Sequence, residues 1–359
     1  MRFMGAKRNL VDRWVSGAWR RALCALASVP LAVSTAAAAT CTPFGNPPAT
    51  INSSTAPTCT GGQLLGPWND PNGTPRWACL WTPTSMTGPL PLIVYLHASL
   101  STAKSVQANT NILDYINTAD PSGDPARLGF IVLAPQGRDT SHVGYPSPDA
   151  NGTGWDIWYR QLNPAGDVTV NGVLYKENVD AVTIDHFIQQ QVGTGTVDTD
   201  RIFVTGWSNG TSMAYLYGLN RSNIAAVGAY SGGDPWAKSI DPCEQTPVSG
   251  TPANNSQVRI YDPMVPTYQV HNACDIGGMC PNVLRMESRL AAVGTPVQDT
   301  KIDSSQNAVS SCNSACGTNP DGGGPGSNNI AGTLNHLRWP TQWTDDILNY
   351  FALHPLSPR

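Results

Sequence analysis

The sequence contains few charged residues and no excess of basic ones. Asp, Glu, Lys and Arg make up 13% of its 359 residues, whereas an average soluble protein contains about 25%. The low charge and the hydrophobic content of 40% exclude a disordered polyelectrolyte. With a net charge of −4, the chain also lacks the positive surface that holds a phosphate backbone, so we expect no nucleic-acid partner.

The sequence also lacks an apolar run long enough to span a membrane as a helix, which takes about 20 residues. The apolar segment from Ala22 to Val33 is shorter, follows a basic N-terminal stretch and precedes the small residues Ala37, Ala38 and Ala39. This order is typical of an export signal. We therefore predict a signal peptide in residues 1–39 and a secreted mature chain, periplasmic or extracellular, that is monomeric and has no membrane partner.

Cysteine pairs that typically bind metal are absent. None of the nine cysteines belongs to a CxxC pair, and the C-terminal ones lack nearby histidines in zinc-finger order, so we expect no metal ion and no cofactor. Cys24 lies in the predicted signal, and the even number that remains predicts disulfides in an exported protein. Their clustering predicts bridges within an N-terminal group and within a C-terminal group, with Cys243 able to join either. The groups are Cys41, Cys59 and Cys79, and Cys274, Cys280, Cys312 and Cys316.

Composition divides the mature chain into two parts. Residues 40–75 are rich in Thr, Pro, Ser, Asn and Gly, which predicts an N-terminal extension stapled by Cys41 and Cys59. Residues 76–359 remain for one large domain. There, the short apolar runs Leu90 to His97 and Gly129 to Gly137 are closed by turn residues, as expected for strands buried on both faces of a parallel sheet.

Further strands and helices alternate along this domain. Helical spacing of apolar residues predicts four helices, and short apolar runs between them predict three more strands. The alternation predicts an α/β fold with a mostly parallel central sheet and helices on both faces. The predicted helices are Asn178 to Val192, Asn209 to Leu219, Asn282 to Val293 and Trp343 to Leu353, and the added strands are Arg201 to Trp207, Ala225 to Gly232 and Val265 to Asp275.

The motif Gly206-Trp-Ser-Asn-Gly210 lies where a predicted strand ends and a predicted helix begins. A nucleophile exposed on such a sharp turn needs glycines on both sides, so that neighbouring backbones can approach. Ser208 is therefore the candidate nucleophile. The alternative is an ordinary loop of Gly and Ser.

A serine hydroxyl needs a histidine to take its proton and a carboxylate to orient that histidine. In this architecture both follow the serine, the acid before the histidine. His336, in a loop before the last helix, is the candidate base. Asp275, at the end of a predicted strand, is the candidate acid, and we expect a disulfide at Cys274 or Cys280 to hold its loop. Asp303 and Asp321 are alternatives in Ser- and Gly-rich stretches with no predicted strand to fix them.

Two backbone N–H groups are needed to stabilise a tetrahedral oxyanion. We expect them from Asn209, at the start of a helix, and from Ser99, in the loop after the strand that ends at His97; this loop could also be a plain turn. Trp155 and Trp158 lie where the carboxyl ends of the strands are expected. They are candidates for gripping an apolar substrate chain, and core or lid packing is the equal alternative.

Several segments resemble the poly(3-hydroxybutyrate) depolymerase and feruloyl esterase branch of the α/β-hydrolases. They are VYLHAS, VLAPQG, VDTDRIFVTGWSNGTSMAYL, VHNACD and NHLRWP, and the resemblance covers residues from about 90 to 355. It implies a secreted serine esterase with Ser208 as nucleophile, Asp275 as acid and His336 as base. The chain departs from the family by having Ala98 and Ser99 after His97 instead of Gly and Cys.

The position before the nucleophile holds a bulky Trp207, which is expected to narrow the substrate site. The same branch includes oxidised poly(vinyl alcohol) hydrolase, whose Trp-rich stretch the segment GTGWDIWYR resembles. We therefore expect a secreted serine carboxylic-ester hydrolase whose residues 76–359 form the catalytic domain. Its expected substrate is a polyester such as poly(3-hydroxybutyrate) or a related ester. The alternatives are a feruloyl or acyl ester, a β-diketone, or a non-catalytic role in polymer binding.

Overall fold

The structure is a computed structural model that describes part of the chain. The described residues are 55–71, 73–139, 153–155, 168–170, 173–175, 178–235, 265–273, 275–276, 279–302 and 335–356. All of them belong to the structural unit that spans residues 39–359. The predicted signal peptide, Trp158, Asp303, Asp321 and the cysteines at 41, 243, 274, 312 and 316 lie outside the described residues.

Within these described residues, eight strands form one mixed sheet, and four short strands form two separate pairs. The strands are β1 Gln63–Asn69, β2 Pro75–Trp81, β3 Leu90–Leu96, β4 Ile131–Pro135, β5 Arg138–Asp139, β6 Thr153–Gly154, β7 Val168–Val170, β8 Val173–Tyr175, β9 Val197–Trp207, β10 Ala226–Tyr230, β11 Thr267–Asn272 and β12 Val297–Ile302. The large sheet has the order β1-β2-β4-β3-β9-β10-β11-β12. β2 runs antiparallel to β1 and β4, and the pairs from β4 to β12 are parallel.

The helices lie between and after the strands along the chain. They are α1 Ser105–Asn109, α2 Val179–Val192, α3 Asn209–Gly218, α4 Met279–Ala292 and α5 Thr344–Leu353, with 3₁₀ turns at Ile112–Tyr115 and Thr341–Trp343. The four helices predicted from spacing are confirmed, with small shifts at their ends. Asn178 begins α2 as a cap, because its side-chain oxygen accepts hydrogen bonds from the N–H groups of Asp180 and Ala181. Among the described residues, none of the helices combines the length and apolar character needed to cross a membrane.

The strand β3 shows why the sheet is buried on both faces. All seven of its residues are buried, and alternate side chains enter two different apolar cores. Leu92 and Val94 pack in the core that also contains residues of α2 and α3. Ile93 and Tyr95 pack on the other face, with residues of α1 and α5. Helices therefore cover both faces, and this layering with this strand order is the α/β-hydrolase fold, as predicted.

The structure moves the expected boundary between residues 75 and 76. β1, which lies in the predicted extension, is hydrogen-bonded to β2 at the edge of the large sheet. The disulfide Cys59–Cys79 joins the chain before β1 to β2 across a separation of 20 residues. A bridge within the N-terminal cysteine group is thus confirmed. Cys59 and β1 are therefore joined to the α/β domain, although the composition places them in the extension.

Candidate active site

Ser208 lies on a sharp turn between β9 and α3. Its backbone has φ 56° and ψ −118°, in the positive-φ region that non-glycine residues rarely adopt. A Cβ atom at Gly206 would lie 2.3 Å from the carbonyl oxygen of Gly210, and one at Gly210 would lie 2.1 Å from the carbonyl oxygen of Leu96. Both positions therefore require glycine. The strand–turn–helix predicted around Ser208 is confirmed, and the alternative of an ordinary loop is wrong.

The structure brings Ser208, His336 and Asp275 together. His336 Nε2 lies 2.7 Å from Ser208 Oγ, and His336 Nδ1 lies 2.7 Å from Asp275 Oδ1. The side chain of Asp275 is fully buried, and that of His336 is 11% exposed. This is the order of contacts in which a histidine can take a proton from a serine while a carboxylate orients the ring.

Aromatic residues hold the loop that carries His336. Trp207 Nε1 donates a hydrogen bond of 2.8 Å to the carbonyl oxygen of His336. The Tyr230 hydroxyl donates one of 2.5 Å to the carbonyl oxygen of Arg338. Burial, and after it the nearby Asp275 carboxylate, raise the pKa of Tyr230 well above its ordinary value, so this hydroxyl keeps its proton.

Trp207, which was expected from the sequence to narrow the substrate site, packs inside the protein instead. Its side chain is buried, and its ring centroid lies 5.9 Å from those of both Tyr230 and Trp339. The indole N–H thus contacts the His336 loop, and the ring packs against two neighbouring aromatic rings in a tilted and an edge-type contact. It positions the histidine loop and leaves little surface for a ligand.

Trp155 also packs inside the protein. It is fully buried, its Nε1 donates to the carbonyl oxygen of His97 at 2.8 Å, and its backbone N–H donates to Asn209 Oδ1 at 2.7 Å. Trp155 therefore connects the end of β3 to the start of α3 through these two hydrogen bonds. The expectation that Trp155 grips substrate is wrong, and core packing, the alternative weighed from the sequence, is confirmed for it.

The two expected oxyanion donors lie on the segments that Trp155 joins. Leu96 of β3 is in register with Gly206 of β9, so the loop that contains Ser99 starts beside the Ser208 turn. Ser99 is half-buried, and Asn209 begins α3, where the helix dipole favours an anion. The assignment of their N–H groups to an oxyanion hole stays a prediction.

His97 was not assigned a role from the sequence, and the structure gives it a structural one. It is fully buried, its Nε2 accepts a hydrogen bond from the N–H of Gly137 at 2.8 Å, and its Nδ1 lies 2.8 Å from the carbonyl oxygen of Ala98. Since Nε2 is an acceptor, the proton resides on Nδ1. Burial lowers the pKa of His97 from 6.5 to about 4, so the ring is neutral near pH 7.

A buried network of ion pairs around Arg76 was also not predicted from the sequence. Arg76 Nη1 lies 3.2 Å from Asp70 Oδ2, and Arg76 Nη2 lies 2.6 Å from Asp180 Oδ1. The same guanidinium donates to the carbonyl oxygen of Gln136 at 3.3 Å. It therefore connects β2, the first turn of α2 and the chain after β4. A single arginine in an unpredicted strand offers no sequence signal for such a network.

The loop of Asp275 is followed by a disulfide, as predicted. Cys280, in the first turn of α4, is disulfide-bonded, whereas Cys274 lies outside the described residues. Within the part of the chain that the structure describes, no three His, Cys, Asp or Glu side chains are grouped so that they could hold a metal ion.

No protein-family model matches the sequence, and no curated protein matches it significantly. Solved structures that match include a thermostable esterase, with a TM-score of 0.49 and 17% identity over 83% of this chain and 64% of that one. An S-formylglutathione hydrolase from Agrobacterium tumefaciens gives a TM-score of 0.49 and 13% identity, over 84% of this chain and 98% of that one. A ferulic acid esterase gives 0.44 and 16%, over 67% and 90%.

The chain thus spans slightly less than two thirds of the length of the thermostable esterase. At these identities and TM-scores, none of the similarities assigns a family or a substrate to this chain.

Proposed function

We propose that this protein is a serine hydrolase that cleaves carboxylic esters through an acyl-enzyme. The observation that carries the proposal is the pair of hydrogen bonds, each of 2.7 Å, that joins Ser208 to His336 and His336 to Asp275. A serine hydroxyl is a weak nucleophile until a base removes its proton. The three side chains lie in the order that supplies this base and its orienting carboxylate.

In the proposed reaction, Ser208 Oγ attacks the ester carbonyl carbon while its proton passes to His336 Nε2. The tetrahedral intermediate collapses, and the same nitrogen gives the proton to the leaving alkoxide oxygen, which leaves as an alcohol. A water molecule then attacks the acyl-enzyme and loses a proton to His336 Nε2. The second tetrahedral intermediate collapses, which breaks the bond between Ser208 Oγ and the acyl carbon, releases the carboxylic acid and returns the proton from His336 Nε2 to Ser208 Oγ. Asp275 keeps the proton of the neutral ring on Nδ1 and stabilises the imidazolium formed in each step.

We infer a polyester such as poly(3-hydroxybutyrate), or a related ester, as the substrate. The sequence segments that resemble the poly(3-hydroxybutyrate) depolymerase and feruloyl esterase branch support this inference.

Export of the protein is part of the same proposal. The disulfide Cys59–Cys79 and the bonded state of Cys280 support it, because disulfides persist in oxidising compartments such as the periplasm and the extracellular space. The alternative of a polymer-binding protein without activity would have no need for the hydrogen-bonded Ser208, His336 and Asp275.

The experiment that tests the activity is hydrolysis of p-nitrophenyl butyrate, with acyl-enzyme detection by mass spectrometry. We expect a burst of p-nitrophenol, an adduct on the peptide that contains Ser208, and a loss on the order of 10⁶ in kcat for Ser208→Ala. A folded wild-type protein that releases no product and forms no adduct would refute the proposal. Parallel assays on poly(3-hydroxybutyrate), a feruloyl ester and oxidised poly(vinyl alcohol) then assign the substrate class.

A further inference from the structure

A second serine, Ser231, lies beside the proposed triad. It directly follows β10, it is 1% exposed, and its Oγ donates a hydrogen bond to Asp275 Oδ2. The same Oγ lies 3.4 Å from His336 Nδ1. We propose that Ser231 is a positioning residue, which fixes the carboxylate of Asp275 so that its other oxygen stays opposite His336. This inference rests on the proposed function, and it adds a residue that the three-residue mechanism does not use.

The two oxygens of Asp275 have different partners. Oδ1 lies 2.7 Å from His336 Nδ1 and accepts a second hydrogen bond, also 2.7 Å, from the N–H of Ile276. Oδ2 accepts from Ser231. Because this side chain is fully buried, removal of the Ser231 hydroxyl takes a donor away from a carboxylate that is shielded from water. Buried carboxylate oxygens are strongly destabilised by such a loss.

The Ser231 hydroxyl has one proton, and the geometry gives it to Asp275. The contact with His336 Nδ1, at 3.4 Å, is long compared with the 2.7 Å from that nitrogen to Asp275 Oδ1. Nδ1 therefore donates to the carboxylate, and Ser231 fixes the same carboxylate from its other side. With both oxygens held, the terminal torsion of Asp275, which is otherwise soft, has one orientation.

The backbone of Ser231 gives independent support. Its φ is 53°, a conformation that glycine adopts without strain and serine does not. The chain is held there by the hydrogen bond from its N–H to the carbonyl oxygen of Val270, at 3.1 Å. A strained non-glycine residue beside a reactive group points to a function for its side chain. The bond to Asp275 supplies that function.

The strained backbone also provides a clean test. Ser231→Gly and Ser231→Ala both remove the hydroxyl, but only glycine relieves the strain, so Ser231→Gly should be more stable than Ser231→Ala in thermal unfolding. We expect kcat for p-nitrophenyl butyrate to fall about 10- to 100-fold in both variants, with KM within about twofold, because the lost interaction acts on the transition state.

The matched control is Ser212→Ala, which removes another buried serine hydroxyl. Ser212 Oγ donates to the carbonyl oxygen of Gly233 at 3.0 Å and belongs to α3, and its loss should leave kcat within about twofold of the wild type. A loss of activity that occurs in Ser231→Ala but not in Ser231→Gly would follow stability instead of the hydroxyl. That result would overturn the inference, as would a kcat within threefold of the wild type in both variants.

A double-mutant cycle tests whether Ser231 acts through Asp275. In an Asp275→Asn background, Ser231→Gly should reduce kcat by less than about threefold, since the carboxylate on which it acts is gone. Full additivity of the two losses would contradict the positioning role.

A measurement that does not depend on catalytic turnover separates this inference from the proposed function. The His336 Nδ1–H proton in its hydrogen bond to Asp275 is observable at low field by NMR, and it should move upfield in Ser231→Gly but not in Ser212→Ala. An unchanged resonance in Ser231→Gly overturns the positioning role. If the wild type is active, Ser208→Ala is inactive and Ser231→Gly is normal, this inference alone fails. If the folded wild type is inactive, the proposed function fails and this inference with it.

Discussion

Replacement of Asp275 by asparagine tests the electrostatic part of the proposed mechanism. The change keeps the size of the side chain and removes its charge. The Asp275 Oδ1 position receives two donors, His336 Nδ1–H and the N–H of Ile276, so an amide oxygen is favoured there and the amide NH₂ is directed to Ser231 Oγ, which can accept. The variant should therefore keep the site assembled, and its main defect should be the missing negative charge beside the imidazolium.

The expected size of this defect follows from the distance. Two unit charges 2.7 Å apart attract by about 6 kcal/mol when the effective dielectric constant is about 20. At about 1.36 kcal/mol per decade of rate, this corresponds to about four decades. A neutral hydrogen bond remains in the variant, so we expect kcat to fall roughly 10³- to 10⁴-fold, close to the loss known for this change in other serine triads.

The chain contains a matched control for this change. His271 Nδ1 lies 3.0 Å from Asp299 Oδ1, which makes a second His–Asp pair on β11 and β12 without a hydrogen bond to Ser208. In p-nitrophenyl butyrate hydrolysis we expect Asp299→Asn to keep kcat within about threefold, because the loss of a carboxylate matters only next to the base. Asp303→Asn and Asp321→Asn should be nearly normal as well.

Two patterns of rates would show that the charge of Asp275 does not act as proposed. If Asp275→Asn stays within about tenfold of the wild type while one of the other three variants collapses, another carboxylate is the acid. If Asp275→Asn and Asp299→Asn lose activity equally, along with their thermal stability, the effect comes from folding and not from charge at the base. Circular dichroism and thermal unfolding of each variant distinguish these cases.

Two further predictions concern residues that support the site. Trp207→Phe keeps an aromatic ring but removes the N–H that binds the carbonyl oxygen of His336. Because this hydrogen bond contributes about 1 kcal/mol, we expect kcat to fall about three- to tenfold. A rise in KM with kcat unchanged would instead indicate that Trp207 contacts the substrate. Because burial lowers the pKa of His97 from 6.5 to about 4, the unfolded chain binds this proton first as the pH falls. The free energy of unfolding should therefore decrease between about pH 6.5 and pH 4, by roughly 3 kcal/mol; urea unfolding of His97→Gln should show a smaller decrease, and an equal one would contradict the assignment.

Burial decided which strands could be predicted from the sequence. β3 is buried along its whole length, so it is a continuous apolar run and was predicted. The edge strand β1 has one buried residue among seven. In β12, the side chains described, at positions 297–300, are all at least partly exposed, so neither strand carries an apolar pattern. Edge strands are partly solvated, and their side chains are free to be polar.

The strand β12, which was not predicted, bears on the choice between Asp275 and Asp303. Because β12 ends at Ile302, Asp303 does follow a strand, contrary to the expectation from its Ser-rich surroundings. Distance across the sheet distinguishes the two carboxylates better. β11 is the second strand from β9 and β12 is the third, and strands are about 4.8 Å apart. Asp275, at the end of β11, therefore follows the nearer strand.

The triad residues could be predicted because each depends on local sequence or on chain order, whereas the aromatic residues around them could not. Trp207 binds a carbonyl oxygen that is 129 positions away in the sequence. Trp155 binds one that is 58 positions away. A tryptophan near a motif has the same appearance in the sequence whether its indole faces a ligand or the core. Only the three-dimensional structure identifies the partner of the N–H group.

Ser208 and Ser231 follow the ends of two neighbouring strands, and their hydroxyl groups have different partners in the proposed triad. Trp207 and Tyr230 are in register on parallel strands, and each is followed by a serine with positive φ. Ser208 leads directly into α3, and its Oγ lies 2.7 Å from His336 Nε2. Ser231 lies one strand closer to β11, where its Oγ reaches Asp275 instead. The strand order of the sheet therefore places one hydroxyl beside the base and the other beside the acid.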